Sequence, residues 1–403
     1  MWRPRARDHG VATLEYGALL LVVALVTGGM FAADIPSKAE AGGKSAICKI
    51  FTSGDCGKQS QSSIKPAKGA NDCKAFCPTA NNPIHPSDPV TAATKGGYVA
   101  MGDSYSSGEG AAEQYLGTSG QTGCHRAPGA YSQVIQQNFQ FQDGGSFVAC
   151  SGATTDTIEN GWHGEGSQLD ALNPRTTLVT LSAGGNDAHF ADVMSKCVLD
   201  AHFSPGDLWP GHAPHPDRCV AQRESMENDM NTLFGSTGGA PSKYEQFLET
   251  VHEKAPNARI LVVGYPNLFP NPPTDGYATI TKGDQQFLND MEQELNSRIR
   301  QAVNDTDKKF YGNGQQKMGS VEFVDNSDSL NGHELTTDDP WLNGIGVCAG
   351  LGIPTSNQNC QSGKILPSVE TSTFHPTADG QRALEEAVRK QLENGPNRTI
   401  YDP

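Results

Sequence analysis

From residue 98 onward, five short apolar runs recur between helical patterns: "YVAM" (98–101), "SFVAC" (146–150), "TLVTLS" (177–182), "RILVVGY" (259–265) and "VEFVD" (321–325). Most are β-branched and apolar on successive residues, as strands buried on both faces are. Between them lie helix candidates. Residues 284–303 place Phe287, Met291, Leu295 and Ile299 four apart, and 378–392 keep Leu384, Val388 and Leu392 in step, with Gly395 just past the end. Alternating strands and helices imply a parallel sheet covered by helices on both faces. The expected fold class is therefore α/β, a three-layer α/β/α sandwich on a mostly five-stranded parallel sheet. In such sheets chemistry gathers at the C-terminal ends of the strands.

The first of those ends reads "GDSYSSGEG" (102–110). Ser104 there is placed to attack an ester carbonyl if a base takes its proton, although a serine opening a helix is also a common N-cap. Asp103 reads as a turn former. Two further strand ends carry turn chemistry. "ACSGATT" (149–155) offers Gly152, which lets a backbone N–H approach a ligand, and "LSAGGNDAHF" (181–190) offers Asn186, whose amide can donate to an oxyanion. "TSTFHPTADGQ" (371–381) puts His375 directly before the last helix. Each feature alone is ordinary. Their order along the chain is what carries information.

That order resembles the SGNH hydrolases, also called the GDSL esterase and lipase family, through "GDSYSSGEG", "CSGATT", "GGND" and "FHPTADGQ" across residues 97–395. "CHRAPGAY" (124–131), "VVGYPNLFP" (262–270) and "GHELTTDDPWLNG" (332–344) are similar to its secreted bacterial branch. The resemblance implies Ser104 as nucleophile, His375 as general base, and an oxyanion hole built from the Ser104 and Gly152 N–H groups and the Asn186 side chain. It implies no cofactor and no metal. One position departs from the pattern. Where the family usually has Asp three residues before the histidine, this chain has Ser372. The backbone carbonyl of Ser372 or Thr373 is the candidate to orient the imidazole, with Glu370 a weaker one. The function implied is an extracellular serine esterase or lipase acting on acyl lipids or small esters. The alternatives are a carbohydrate O-deacetylase and a non-catalytic binding protein on the same fold.

Ten cysteines fall in consecutive pairs of short separation, which reads as disulfides in an oxidising compartment. Local pairing gives Cys124–Cys150, Cys197–Cys219 and Cys348–Cys360, while Cys48, Cys56, Cys73 and Cys77 can pair in three ways. Connectivity does not follow from sequence. "GHAPHPDRC" holds His212, His215 and Cys219 but no fourth ligand at a metal-binding spacing. His189 and His333 are candidates to line the cleft. Residues 191–242, with Phe203, Leu208 and Trp209, are a candidate wall of an acyl pocket or a cover without substrate contact.

The N-terminus opens with three arginines before an uncharged apolar run from Tyr16 to Ala33, close to the length of a membrane span. "DHGVATLEYGALLLVVALV" resembles the start of Flp- and TadE-type prepilins, with Gly10 before the cleavage point and Glu15 and Tyr16 at the matching places. A retained membrane helix is expected over residues 1–40, with a cleaved signal peptide as the second reading, so prepilin peptidase or signal peptidase is an expected partner. Residues 41–96 read as a Pro- and Gly-rich linker, 97–395 as the hydrolase domain and 396–403 as a tail. The formal net charge of −15 argues against a nucleic-acid partner. The expected location is outside the cytoplasm, secreted or tethered to the membrane's outer face.

Overall fold

The computed structural model describes residues 75–76, 85–203, 219–275, 277, 280–312, 318–348, 357, 359–360 and 368–402. The expected membrane helix and the first four cysteines lie outside these residues. Among the described residues no helix is long and apolar enough to cross a membrane.

Among the described residues nine strands follow in chain order: β1 (His85–Ser87), β2 (Gly97–Gly102), β3 (Gly145–Phe147), β4 (Thr176–Ser182), β5 (Arg259–Val263), β6 (Ser320–Val324), β7 (Val347–Cys348), β8 (Ser368–Val369) and β9 (Ile400–Asp402). Five of them form the central sheet in the order β3-β2-β4-β5-β6, every pair parallel. The chain steps outward from β2 to β3, then returns to β4 on the other side of β2. The direction of winding therefore reverses at β2 and β4, and the crevice at their C-terminal ends is where such sheets bind ligands.

Side-chain alternation along the strands creates two cores. Val99, Met101, Val179, Leu181, Ile260 and Val262 face one, packed with Phe247, Leu248, Phe287, Leu295 and Ile299. Tyr98, Ala100, Leu178, Leu261, Val263 and Val324 face the other, packed with Tyr131, Ile135, Leu384 and Val388. The helices that supply the first core are chiefly Lys243–Lys254 and Lys282–Tyr311, and those that supply the second are Tyr131–Asn138 and Ala378–Asn394. The result is a helix–sheet–helix sandwich around a five-stranded parallel sheet.

Local differences from the sequence reading have physical reasons. β3 is an edge strand of only three residues. The apolar residues after it remain extended, with Val148 and Cys150 N–H groups bonded to the carbonyls of Ala100 and Gly102. The helix expected over 284–303 runs from Lys282 to Tyr311, opened by a capping box between Thr281 and Asp284. Its last turns, "NDTDKKF", are too polar to show a periodic apolar face. The packed unit also reaches beyond 97–395. β1 and β9 pair antiparallel, His85 opposite Asp402. The buried guanidinium of Arg259 donates to the Pro89 and Leu392 carbonyls while holding Glu322 through two bonds of 2.8 and 2.9 Å.

Disulfides join Cys124 to Cys150, Cys197 to Cys219 and Cys348 to Cys360.

Candidate active site

β2 delivers Ser104 through a turn that depends on Gly102. Its φ is +119°, and a Cβ there would fall 2.4 Å from the Ser182 carbonyl oxygen, so a side chain is excluded on both conformation and space. Gln168 clamps the same peptide from both sides, accepting from the Gly102 N–H and donating to its carbonyl. Asp103 then caps the short helix Ser104–Ser107 by accepting from the Tyr105 N–H. The turn-forming role expected of Asp103 is therefore only part of what it does. Its carboxylate also accepts from Ser182 Oγ and from the Tyr265 hydroxyl at 2.6 Å. Burial holds the Asp103 pKa above its ordinary value, and these donors offset only part of the rise.

His375 arrives from the other end of the chain. Its Nε2 lies 2.8 Å from Ser104 Oγ, and its Nδ1 lies 3.2 Å from the Thr373 carbonyl. A carbonyl can only accept, so Nδ1 carries the proton and Nε2 presents its lone pair to the serine hydroxyl. Of the three groups named for orienting the ring, it is the Thr373 carbonyl that meets it. The Ser372 carbonyl instead accepts the His375 backbone N–H, and Glu370 is engaged by Asn357 and the Ser372 hydroxyl. Burial pulls the imidazole pKa below its ordinary value, against opposing contributions from the Glu109 and Asp103 charges and the Thr373 carbonyl.

The loop carrying His375 is held by Asn343. The Asn343 backbone and side-chain N–H groups both donate to the His375 carbonyl at 2.9 Å, and the side chain also donates to the Gly110 carbonyl. Phe374, with φ +64°, makes the tight approach possible and buries its ring against Phe269. Glu109, fully buried, accepts from Thr371 Oγ1 and Tyr115 and pairs with His125 Nδ1 at 2.6 Å. Burial works to raise the Glu109 pKa, but the His125 hydrogen bond and charge hold it below the usual carboxylate value.

The turn after β4 completes the cleft. Asn186 lines it together with Ser104 and His375. The Asn186 amide donates to the Ala153 carbonyl at 3.0 Å, while Asp187 accepts from the Thr155 N–H and hydroxyl. These bonds lash the β4 turn to the turn after β3, where Gly152 has φ +77°. Gly185 donates its N–H to the Tyr265 hydroxyl at 3.0 Å, the same hydroxyl that serves Asp103. Glu109, Tyr265 and Asn343 fall within blocks quoted above for their resemblance, but the blocks do not show these roles, and Glu292 lies in none of them. They meet the site only through contacts across the fold.

The other candidates sit elsewhere. His189 pairs with Asp229 at the surface, and His333 stacks on Trp341 with ring centroids 3.5 Å apart. Neither is among the residues lining the cleft. His212, His215, Leu208 and Trp209, and the Phe203 side chain, lie outside what is described. From the region proposed as an acyl wall, Ala191 and Met194 do line the cleft.

A serine hydroxyl on an oriented imidazole, at the winding reversal of a parallel sheet, is the geometry of a serine hydrolase. The chain belongs to the GDSL-like Lipase/Acylhydrolase family, which it matches over residues 100–383. It is 30% identical over 285 residues to Lipase 1 of Streptomyces coelicolor, covering 71% of this chain and 82% of that one. Two solved structures are similar. Phospholipase A1 from Streptomyces albidoflavus superposes with a TM-score of 0.54 at 30% identity, covering 73% of this chain and 99% of that one. The extracellular lipase of Streptomyces rimosus gives 0.52 at 25% identity over the same shares. The protein is a carboxylic ester hydrolase.

Proposed function

We propose that hydrolysis proceeds through a Ser104–His375 dyad without a side-chain third member. The observation that carries this reading is the pair of contacts on one imidazole, Nε2 to Ser104 Oγ at 2.8 Å and Nδ1 to the Thr373 carbonyl at 3.2 Å. His375 takes the serine proton as Oγ attacks the ester carbonyl, then passes it to the departing alcohol. Water repeats the cycle on the acyl-enzyme. The tetrahedral oxyanion is met by the N–H groups of Ser104 and Gly152 and by Asn186. The Asn186 amide has two N–H bonds, and only one is needed for Ala153. The substrates are carboxylic esters with an acyl group that enters the cleft beside Ser104, lipid esters among them, as the names of the relatives indicate. Residues 97–395, together with the β1 and β9 segments, form the catalytic domain.

The test is hydrolysis of p-nitrophenyl esters by the wild type, Ser104→Ala and Asn186→Ala. The serine variant is expected to lose all activity, and the asparagine variant to lose about 100-fold in kcat. Full activity in either removes that residue from the mechanism.

We also infer export. The three disulfides and the extracellular lipase among the solved relatives support it. Residues 1–40 are then a prepilin-like anchor or a cleaved signal. N-terminal sequencing of the exported protein, with and without prepilin peptidase, distinguishes the two, and a start at Val11 only when the peptidase is present identifies the first.

A further inference from the structure

The long helix Lys282–Tyr311 presents a buried polar row. Asn296 accepts from the Tyr265 N–H and donates to the Tyr265 carbonyl, and Asn289 does the same with Phe269. The segment 265–269 is thus clamped along the helix at both ends. Between the two asparagines, on the same face, stands Glu292. It is 2% exposed and neither of its carboxyl oxygens has a hydrogen-bond partner. Burial raises its pKa well above the ordinary carboxyl value, and the nearby Leu268 N–H opposes this without reaching bonding geometry. The side chain lines the cleft of Ser104 and His375, among Phe190, Met194, Leu268 and Leu295.

This is an unusual occupant for an apolar wall. A leucine would fit the surroundings, whereas an unbonded carboxyl is costly there. The acyl group stays on Ser104 once the alcohol has left, and the apolar lining that shares the cleft with Ser104, formed by Phe190, Met194, Leu268 and Leu295, is available to it. The cavity is about 40 Å³, above the ~10–15 Å³ that one water requires.

We propose that Glu292 is a specificity residue that hydrogen-bonds an oxygen atom carried on the acyl chain, so that the preferred esters are those of short hydroxy- or oxo-acids. A carboxyl group in its protonated form, which burial favours here, both donates and accepts, so it can pair with a hydroxyl or a carbonyl that a wholly apolar wall would leave unbonded. A pocket built to bond such a group discriminates against the analogue that lacks it, because its own polar atoms are then left unpaired. The inference rests on Ser104 being the nucleophile of this cleft.

The experiment compares kcat/KM for p-nitrophenyl 3-hydroxybutyrate and p-nitrophenyl butyrate in the wild type, Glu292→Leu and Glu292→Gln. The readout is the ratio of the two esters, which cancels changes common to both. Glu292→Leu is expected to lower the hydroxy-to-plain ratio by about 10-fold, the worth of one hydrogen bond with its desolvation cost. Glu292→Gln, which keeps a donor and an acceptor, should hold most of the wild-type ratio. Thermal unfolding is expected to show Glu292→Leu at least as stable as the wild type. Equal ratios in all three proteins overturn the proposal and leave Glu292 a structural acid. Ser104→Ala, run in parallel, separates the two levels. Activity surviving in that variant defeats the dyad, whereas serine-dependent activity with unchanged ratios defeats only the role of Glu292.

Discussion

Tyr265→Phe removes one oxygen atom and two contacts. The backbone of Tyr265 is fixed independently by Asn296, and its ring packs edge-on against Tyr105 at 5.0 Å. The phenylalanine ring should therefore stay in place, and the loss is confined to the hydroxyl. That hydroxyl donates to Asp103 Oδ2 and accepts from the Gly185 N–H. A hydrogen bond to a carboxylate is worth about 1.5–3 kcal/mol, and an N–H left unpaired costs about 1–3 kcal/mol when buried. Gly185 lies on the cleft, where water can take up part of the second loss. The expected destabilisation is then about 2–4 kcal/mol, read from urea unfolding with an unchanged m-value. The same hydroxyl ties the residue before Ser104 to the turn that carries Asn186, so kcat should fall by about 10- to 100-fold through misplacement. Tyr98→Phe is the control. It removes a buried hydroxyl whose neutral partner is Thr180, and should cost about 1 kcal/mol with kcat preserved. A Tyr265→Phe enzyme no less stable than the control, and equally active, would refute the idea that this hydroxyl joins the two turns.

In the proposed mechanism the neutral imidazole is the base, and burial lowers the His375 pKa. The acid limb of kcat/KM should therefore fall below the ordinary value of about 6.5, and a limb at or above 7 in the free enzyme would contradict the assignment. Asn343→Ala cuts the side-chain bonds to the His375 and Gly110 carbonyls and should reduce kcat by about 10- to 100-fold, measured under saturating ester. Arg259→Ala leaves Glu322 buried without its partner and should cost about 3–5 kcal/mol. The kcat per folded molecule should be unchanged, because Arg259 lies at the start of β5, away from the strand ends that carry Ser104 and Asn186.

The sheet was legible because β2, β4 and β5 are buried and largely apolar along their length and β6 nearly so, a pattern that survives without knowledge of neighbours, whereas the edge strand β3 is only Gly-Ser-Phe. Ser104, Asn186 and His375 became candidates through the order of their blocks along the chain and the resemblance that order carries, since each turn or cap alone is ordinary. The group that meets His375 Nδ1 was one of three candidates, the Ser372 and Thr373 carbonyls that the resemblance suggested and the weaker Glu370, and sequence alone did not choose among them. What stayed hidden is long-range. Asp103 and Tyr265 meet across 162 residues, and Thr371 meets Glu109 across 262. Buried polar residues also defeat an apolar periodicity. Asn289, Glu292 and Asn296 occupy inward positions of a helix identified by its Phe, Met, Leu and Ile. The ribbon of β1 and β9 stayed hidden because each strand is three residues, "HPS" and "IYD", and only their pairing reveals them.

That pairing has an engineering consequence. Residues entering at His85 and leaving at Asp402 stand side by side in one antiparallel ribbon, next to the segment whose Pro89 carbonyl is held by Arg259 at the start of β5. Ester chemistry occupies the opposite rim, where the strands finish. Cargo, a surface tether or an affinity handle joined directly before His85 or after Asp402 should therefore hang from the rear of the enzyme and leave its mouth unobstructed. The same adjacency suits a shortened chain of residues 85–402 to circular permutation, those two ends bridged by a few glycines and new ones opened at an exposed loop.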